Sequence, residues 1–190
     1  MVWLNGGSTL KYPNNFSDKK RNVVLDGEGY FEVTSRNGVP FTVSTSAYDI
    51  IVKGTKFNVC AYDIDATSLT SLIEGKIEID YKDELYEVSP GEGVCINKNK
   101  GTVESFRSDV DDSNAWIDGR IEYEKITLAD FAAKLSRKYG VEVCIENNEI
   151  KCHTFRISLK NNETLVQVLD GLQLIIPFEY TIDKDRIIIK

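Results

Sequence analysis

Residues 50–59 read IIVKGTKFNV, two short runs of β-branched and aromatic residues on either side of the pair Lys53-Gly54. Such residues favour strands, and a glycine between two runs favours a turn, so this stretch predicts two consecutive strands. The same alternation continues as far as Gly101, and ten of the 13 glycines lie in that part of the chain. It predicts an all-β domain at residues 1–108, built as a sandwich, a barrel or a solenoid-like body of short strands. The strand-like runs are Tyr30–Val33, Phe41–Val43, Ile50–Val52, Phe57–Val59, Leu69–Ile73, Ile77–Ile79 and Val94–Ile96.

The sequence pattern changes after residue 108. Residues 109–114 read DVDDSN, which is acidic and poor in apolar side chains, and this composition predicts a linker. Helical spacing of apolar residues occurs only beyond this segment. A second domain is therefore predicted at residues 115–190.

This second domain is predicted to be small and α+β. Apolar side chains recur at helical spacing up to Tyr139, with Thr127 as the N-cap and Gly140 ending the helix. Thr164 begins a second helix with the same offsets. A strand-like run precedes and follows each helix, and Arg186–Lys190 forms a last strand. The pattern predicts two βαβ-like units with helices packed on a sheet.

Composition and charge exclude several classes of protein. The 190 residues include 23 basic and 30 acidic residues, giving a formal net charge of −7. An acidic protein repels phosphate backbones, which disfavours nucleic-acid binding. No apolar run reaches the about 20 residues of a membrane helix. The start at Val2, Trp3 and Leu4 is typical of a strand and not of a signal peptide. We therefore expect a globular piece of a longer protein.

The residue types that catalysis and metal binding require are scarce. His153 is the only histidine, and the adjacent Cys152 would point to the opposite face of a strand. The four cysteines contain no Cys-x-x-Cys pair, which disfavours zinc. Glu28 and Glu32 share a strand face, as a glycosidase pair would, but without a recognisable sugar platform. We predict no catalytic, metal or cofactor-binding residues, and a protein that is not an enzyme.

Two interpretations remain for one pair of cysteines. Cys144 and Cys152 flank a polar turn at Glu146–Glu149. They either form a cross-hairpin disulfide or serve as small hydrophobic strand residues.

Seven segments of the first part, in this order, resemble the FecR family of anti-sigma factors. The stretch Val52–Val59, VKGTKFNV, is the most diagnostic. Gly29 departs from the family pattern, which usually has alanine there. The other six segments are Val2–Ser8, Tyr12-Pro13, Arg21–Val33, Pro40–Val43, Leu72–Ile77 and Pro90–Glu92.

The resemblance continues in the second part of the chain. Ala115-Trp116 and Gly119–Ile121 resemble the family's junction, and Leu135–Val141 resembles its first C-terminal helix and strand. This C-terminal module is similar to the short domain at the start of secretins and TonB-dependent receptors.

The resemblance implies a function in signal transduction. Proteins of this kind pass a signal from an outer-membrane transporter to an extracytoplasmic-function sigma factor. This chain would be the sensor at the periplasmic face of the inner membrane of a Gram-negative bacterium, within a single-pass protein. Its ligand would be the N-terminal signalling domain of a TonB-dependent receptor. The sigma factor would bind a cytoplasmic segment absent from this sequence.

The last strand supplies the candidate binding residues, Arg186, Ile187, Ile188 and Ile189. A strand at the edge of a sheet exposes unpaired backbone groups to which a partner strand can bind. We predict that this strand is such an edge and binds the receptor, the alternative being an internal strand.

A carbohydrate- or cell-wall-binding β module is the alternative function. It requires exposed aromatic residues on one face, for which Trp3, Tyr12 and Tyr30 are the candidates. A hydrolase with carboxylate chemistry is a weaker alternative.

Overall fold

The computed structural model describes residues 1–108, 115–160 and 162–190. The chain divides into two compact units, Met1–Asn114 and Ala115–Lys190, each with its own hydrophobic core. The described structure is mostly β, with two α-helices in the second unit. The predicted linker, residues 109–114, lies outside the described residues.

The first unit is all-β, as the sequence predicts. Its described strands form one eleven-stranded sheet in the order β11-β10-β7-β6-β3-β4-β5-β8-β9, with β1 and β2 also paired to β3. The strands are β1 (Val2–Leu4), β2 (Thr9–Lys11), β3 (Arg21–Val33), β4 (Phe41–Ser44), β5 (Asp49–Val52), β6 (Thr55–Ala61), β7 (Thr67–Glu74), β8 (Ile77–Tyr81), β9 (Glu84–Val88), β10 (Glu92–Asn97) and β11 (Thr102–Arg107).

The long strand β3 belongs to both halves of this sheet. Its first part, Arg21–Val24, pairs in parallel with β4, and its second part, Gly27–Val33, pairs antiparallel with β6. β2 flanks the first part and β1 the second. Gly27, where the second part begins, has a φ of 127°, a backbone conformation that favours glycine. This glycine allows one strand to continue from one half of the sheet into the other.

The sheet curls around a single hydrophobic core. Phe31 and Phe57 stack in one half with their ring centroids 5.1 Å apart, and both are fully buried. Val43, Ile50 and Ile79 of the other half are also fully buried in the same cluster. β9 contacts β10, so the ends of the strand order approach each other. Of the architectures that the pattern allowed, the structure has a curled sheet with two facing halves.

Strands β9 and β11 were not among the predicted strands. Both end the strand order of the sheet, and most of their side chains are exposed or half-buried. A strand with so little buried surface needs no strict apolar alternation, so its sequence carries a weak signal.

The second unit contains a 3₁₀ turn at Ala115–Asp118, two helices and five strands among its described residues. β12 pairs antiparallel with β14, while β16 lies between β13 and β15 in a separate three-stranded sheet. The elements are β12 (Ile121–Thr127), α1 (Leu128–Tyr139), β13 (Glu142–Ile145), β14 (Thr154–Leu159), α2 (Leu165–Gln173), β15 (Tyr180–Asp183) and β16 (Arg186–Ile189).

The predicted order of strands and helices is confirmed, but the strand pairing differs from two βαβ units. The strands that precede the helices, β12 and β14, pair with each other. The strands that follow the helices, β13 and β15, both pair with β16. The first strands of the two repeats therefore pair with each other, whereas their second strands lie on either side of β16. Both sheets and both helices contribute side chains to one core. This strand pairing is favourable because the apolar face of each sheet and helix is covered by the others.

The helix ends agree with the sequence prediction. The Thr127 hydroxyl accepts a hydrogen bond from the backbone N–H of Asp130 at 3.1 Å. Gly140 ends α1 in the left-handed conformation, with a φ of 67°. Thr164 and Gln167 form a reciprocal capping box at the start of α2. Local chemistry decides these boundaries.

The conformation of Gly140 makes a testable prediction. An added Cβ would meet nothing within 4 Å at Gly140 or at Gly171 inside α2, so substitutions at the two sites differ only in backbone conformation. Gly140→Ala should lower the free energy of unfolding of the second unit by about 1 kcal/mol. The matched control Gly171→Ala should raise it by about 0.5–1 kcal/mol. Hydrogen exchange of the helix amides under mild denaturant measures both, and equal effects would contradict the argument.

Candidate partner-binding surface

The last strand is not an edge strand, contrary to the prediction for Arg186, Ile187, Ile188 and Ile189. It pairs in parallel with β13 on one side and antiparallel with β15 on the other. Ile187 and Ile189 are fully buried, so the backbone and half of the side chains are unavailable to a partner. The edge prediction is wrong because the parallel pairing with β13, which is distant in sequence, places β16 in the centre.

Arg186 is bound to β13 on the outer face of this sheet. Its Nε lies 3.4 Å from Glu142 Oε2, and its Nη2 donates to Cys144 Sγ at 3.6 Å. The Cys144 thiol and the Glu142 carboxylate raise the pKa of the guanidinium. Cys144 and Cys152 are both free thiols, without the disulfide that the sequence left open. The contacts of Arg186 connect β16 to β13. β15 is the outer strand on the other side of β16.

The outer edge of β13 is covered by helix α1. The backbone N–H of Val143 donates to Ser136 Oγ at 3.1 Å, and that of Val141 donates to Ser136 O at 3.1 Å. The Val143 donor would otherwise be available to a further strand.

The outer edge of β15 has no such cover. Glu179 and Lys190 exchange two backbone hydrogen bonds, of 3.2 and 2.8 Å, at the open end of the β15–β16 hairpin. Antiparallel pairs alternate, so Tyr180 and Ile182 direct their backbone N–H and C=O groups away from β16. Within the described residues, no hydrogen bond reaches these four groups.

The second unit also exposes apolar side chains, one of which lies on β15 itself. The large exposed hydrophobic residues among the described positions of the second unit lie on α2, in the segment that follows it, or on β15 itself. Tyr180 Oη donates to Asp170 Oδ1 at 2.7 Å, which joins the strand to the helix. The exposed residues are Val166, Leu174, Ile175 and Ile182, with exposed fractions of 45%, 89%, 57% and 47%.

The candidate aromatic residues of the first unit do not form a glycan platform. Tyr30 is 6% exposed, and Trp3 packs against it with the ring centroids 5.4 Å apart. Tyr12 is exposed, but it follows β2 whereas Trp3 lies in β1. The cross-strand pair Trp3–Tyr30 attaches β1 to β3 instead of presenting two rings to solvent.

Glu28 has a structural role in the first unit. Its Oε2 accepts from Asn5 Nδ2 at 2.8 Å and its Oε1 accepts from Asn58 Nδ2 at 3.0 Å. Ser8 Oγ donates to the Glu28 carbonyl at 3.1 Å and accepts from the Glu28 N–H at 2.9 Å. An added Cβ on Gly27 would lie 2.4 Å from the Ser8 side chain, so this approach requires glycine. We call Asn5, Ser8, Glu28 and Asn58 the β3 clasp, which holds the N-terminal turn against the bend.

The β3 clasp makes a prediction for the carboxylate. Glu28→Gln replaces one accepting oxygen by an NH₂ group that faces an asparagine donor, so the free energy of unfolding should fall by about 1–3 kcal/mol. Glu32→Gln, on the same face of the same strand, is the matched control and should change it by less than about 0.5 kcal/mol. A denaturant titration of the whole chain measures both. Equal stability of the two variants would contradict a structural role for Glu28.

No group of three or more His, Cys, Asp or Glu residues in the described parts of the chain could hold a metal ion. Likewise, none of the described helices is both long and apolar enough to cross a membrane.

Two family models match the chain in series. Residues 1–78 match the model described as FecR protein, and residues 120–189 match the model described as FecR, C-terminal. The chain belongs to the FecR family of anti-sigma factors. This is a regulatory, non-enzymatic class, and membership implies a sigma factor as a partner. Proteins of the FecR family are typically membrane-anchored.

Solved structures agree with this assignment. A crystal structure of a protein assigned as an anti-sigma factor from Parabacteroides distasonis ATCC 8503 matches with a TM-score of 0.91 and 28% identity, covering 100% of this chain and 89% of that one. A second crystal structure with the same description matches with a TM-score of 0.90 and 28% identity, covering 99% and 88% of the two chains. No match was found among curated proteins.

Proposed function

We propose that this chain is the periplasmic signal-transducing part of a FecR-like anti-sigma factor. It senses the N-terminal signalling domain of a TonB-dependent outer-membrane receptor by protein–protein binding and relays the signal to an extracytoplasmic-function sigma factor. The proposal is carried by the serial match of an N-terminal and a C-terminal FecR model within one chain. The similarity to an anti-sigma factor structure over the full length of this chain supports it.

The proposal includes the domain organisation and the location of the whole protein. The all-β domain, residues 1–108, and the α+β module, residues 115–190, are joined by the linker at residues 109–114. The module is similar to the short domain of secretins and TonB-dependent receptors. The whole protein is single-pass in the inner membrane of a Gram-negative bacterium, with this part at the periplasmic face. A cytoplasmic segment of the whole protein binds the sigma factor.

The chemistry of the second unit suits recognition of another protein. Its described residues combine unpaired strand backbone at β15 with exposed apolar side chains on α2 and β15. Backbone hydrogen bonds and buried apolar surface are the two contributions that β-strand addition uses.

A binding titration tests the proposed function. The whole chain should bind the isolated signalling domain of the TonB-dependent receptor encoded beside it, saturably and with a Kd in the micromolar range or tighter, measured by calorimetry. The signalling domain of an unrelated receptor is the control and should give no saturable heat.

Failure of the folded chain to bind its neighbouring receptor domain would contradict the proposal. A positive signal on a glycan array in the same samples would favour the carbohydrate-binding alternative instead.

A further inference from the structure

We infer that the outer edge of β15 is where a β-strand of the partner adds to this chain, as a fourth strand of the β13–β16–β15 sheet. The inference rests on the proposed function, since it names the surface through which the receptor's signalling domain binds. It replaces the sequence-based assignment to β16, whose two sides are already paired.

The backbone of β15 supplies the first argument. The outward N–H and C=O groups belong to Tyr180 and Ile182, which are two residues apart. An added strand forms hydrogen bonds with every second residue of its neighbour, so it could pair with both. Both ends of the hairpin fix which residues face outward. Glu179 and Lys190 form a hydrogen-bonded pair at the open end, and Asp183 and Arg186 flank the two-residue turn at the other. Counting from either end, Tyr180 and Ile182 are the residues whose backbone groups point away from β16. Unpaired strand backbone is recognised by another extended chain, so the occupant is a β-strand.

The other edges of the second unit are less suitable. Ser136 Oγ of α1 occupies the Val143 donor at the outer edge of β13. On the β12–β14 ladder, Arg156 and Glu124 form an ion pair with a 2.8 Å separation. Charged side chains on a strand discourage the addition of another strand. None of the large exposed hydrophobic residues described in this unit lies on either of those two strands.

The flanking side chains indicate the chemistry of the partner strand. Ile182 stands opposite the fully buried Ile187, so both side chains project from the face that carries the core and helix α2. A partner residue opposite Ile182 would project from this same face, where an apolar side chain would cover Ile182. Asp170, whose Oδ1 accepts the Tyr180 hydroxyl, favours a basic residue in the partner strand near Tyr180. The fitting partner is an extended strand that combines apolar and basic side chains.

Hydrogen exchange of the unaltered chain tests the edge directly. With the receptor's signalling domain present at saturation, the amides of Tyr180 and Ile182 should exchange at least about tenfold more slowly than in the free chain. The amide of Thr181 is already bonded to β16 and serves as the internal reference. Saturable binding that leaves the Tyr180 and Ile182 amides unprotected overturns the edge assignment and leaves the proposed function standing.

A proline substitution tests the same edge by affinity. Ile182→Pro removes a donor that points away from β16, so the hairpin keeps its own hydrogen bonds. It should weaken binding of the receptor domain at least about tenfold, and Ile182→Lys, which keeps the donor and removes the apolar contact, should also weaken it.

Leu85 in β9 offers a matched control. Leu85 is 65% exposed. It lies one residue beyond the pair that flanks the two-residue turn at Lys82 and Asp83, as Ile182 does in its own hairpin. Its backbone N–H and C=O groups therefore also point away from the partner strand of the hairpin. Leu85→Pro and Leu85→Lys should leave the affinity within about twofold. Equal effects at Ile182 and Leu85 overturn the edge assignment. Absence of any binding by the unaltered chain overturns the proposed function and the edge assignment with it.

Discussion

A single strand, β3, supplies hydrogen-bonding partners to both halves of the curled sheet, and it passes from one half to the other at Gly27. The missing Cβ at this residue admits the side chain of Ser8, which bonds both backbone groups of Glu28. The Glu28 carboxylate then accepts from Asn5 and Asn58. The polar groups at the bend are therefore paired with one another, and the apolar faces on both sides can close around one core. The N-terminal strands depend on the same bend, since both pair with β3.

The second unit is organised by a different constraint, the pairing of two similar strand–helix–strand repeats. The first strands of the repeats, β12 and β14, pair with each other, while the second strands, β13 and β15, flank β16. This arrangement buries Ile187 and Ile189 at the centre and moves the free edge to β15. Helix α1 occupies the opposite edge through Ser136. One strand consequently keeps unpaired backbone beside exposed apolar side chains.

The family assignment and the surface chemistry support one another. An anti-sigma factor acts by binding other proteins, so its functional residues are those that contact a partner. The carboxylate that a glycosidase interpretation singled out, Glu28, is engaged within the fold. The aromatic ring that a glycan-binding interpretation required, Tyr30, is buried under Trp3. Glu28 and Tyr30 are therefore not available for the roles that those two interpretations gave them.

The sequence by itself determined the all-β character of the first unit, the two capped helices of the second, and the FecR family. These depend on local patterns, such as the turn at Gly54, the caps at Thr127 and Thr164, and the left-handed Gly140, whose chemistry acts within a few residues. The tertiary structure alone decided which strand is an edge and which polar residues are internal. Arg186–Ile189 has the composition of an edge or of a central strand, and the pairing with β13, more than 40 residues away, selects the centre. The side chain of Glu28 is likewise buried by Asn5 and Asn58, which approach it only when the sheet has curled.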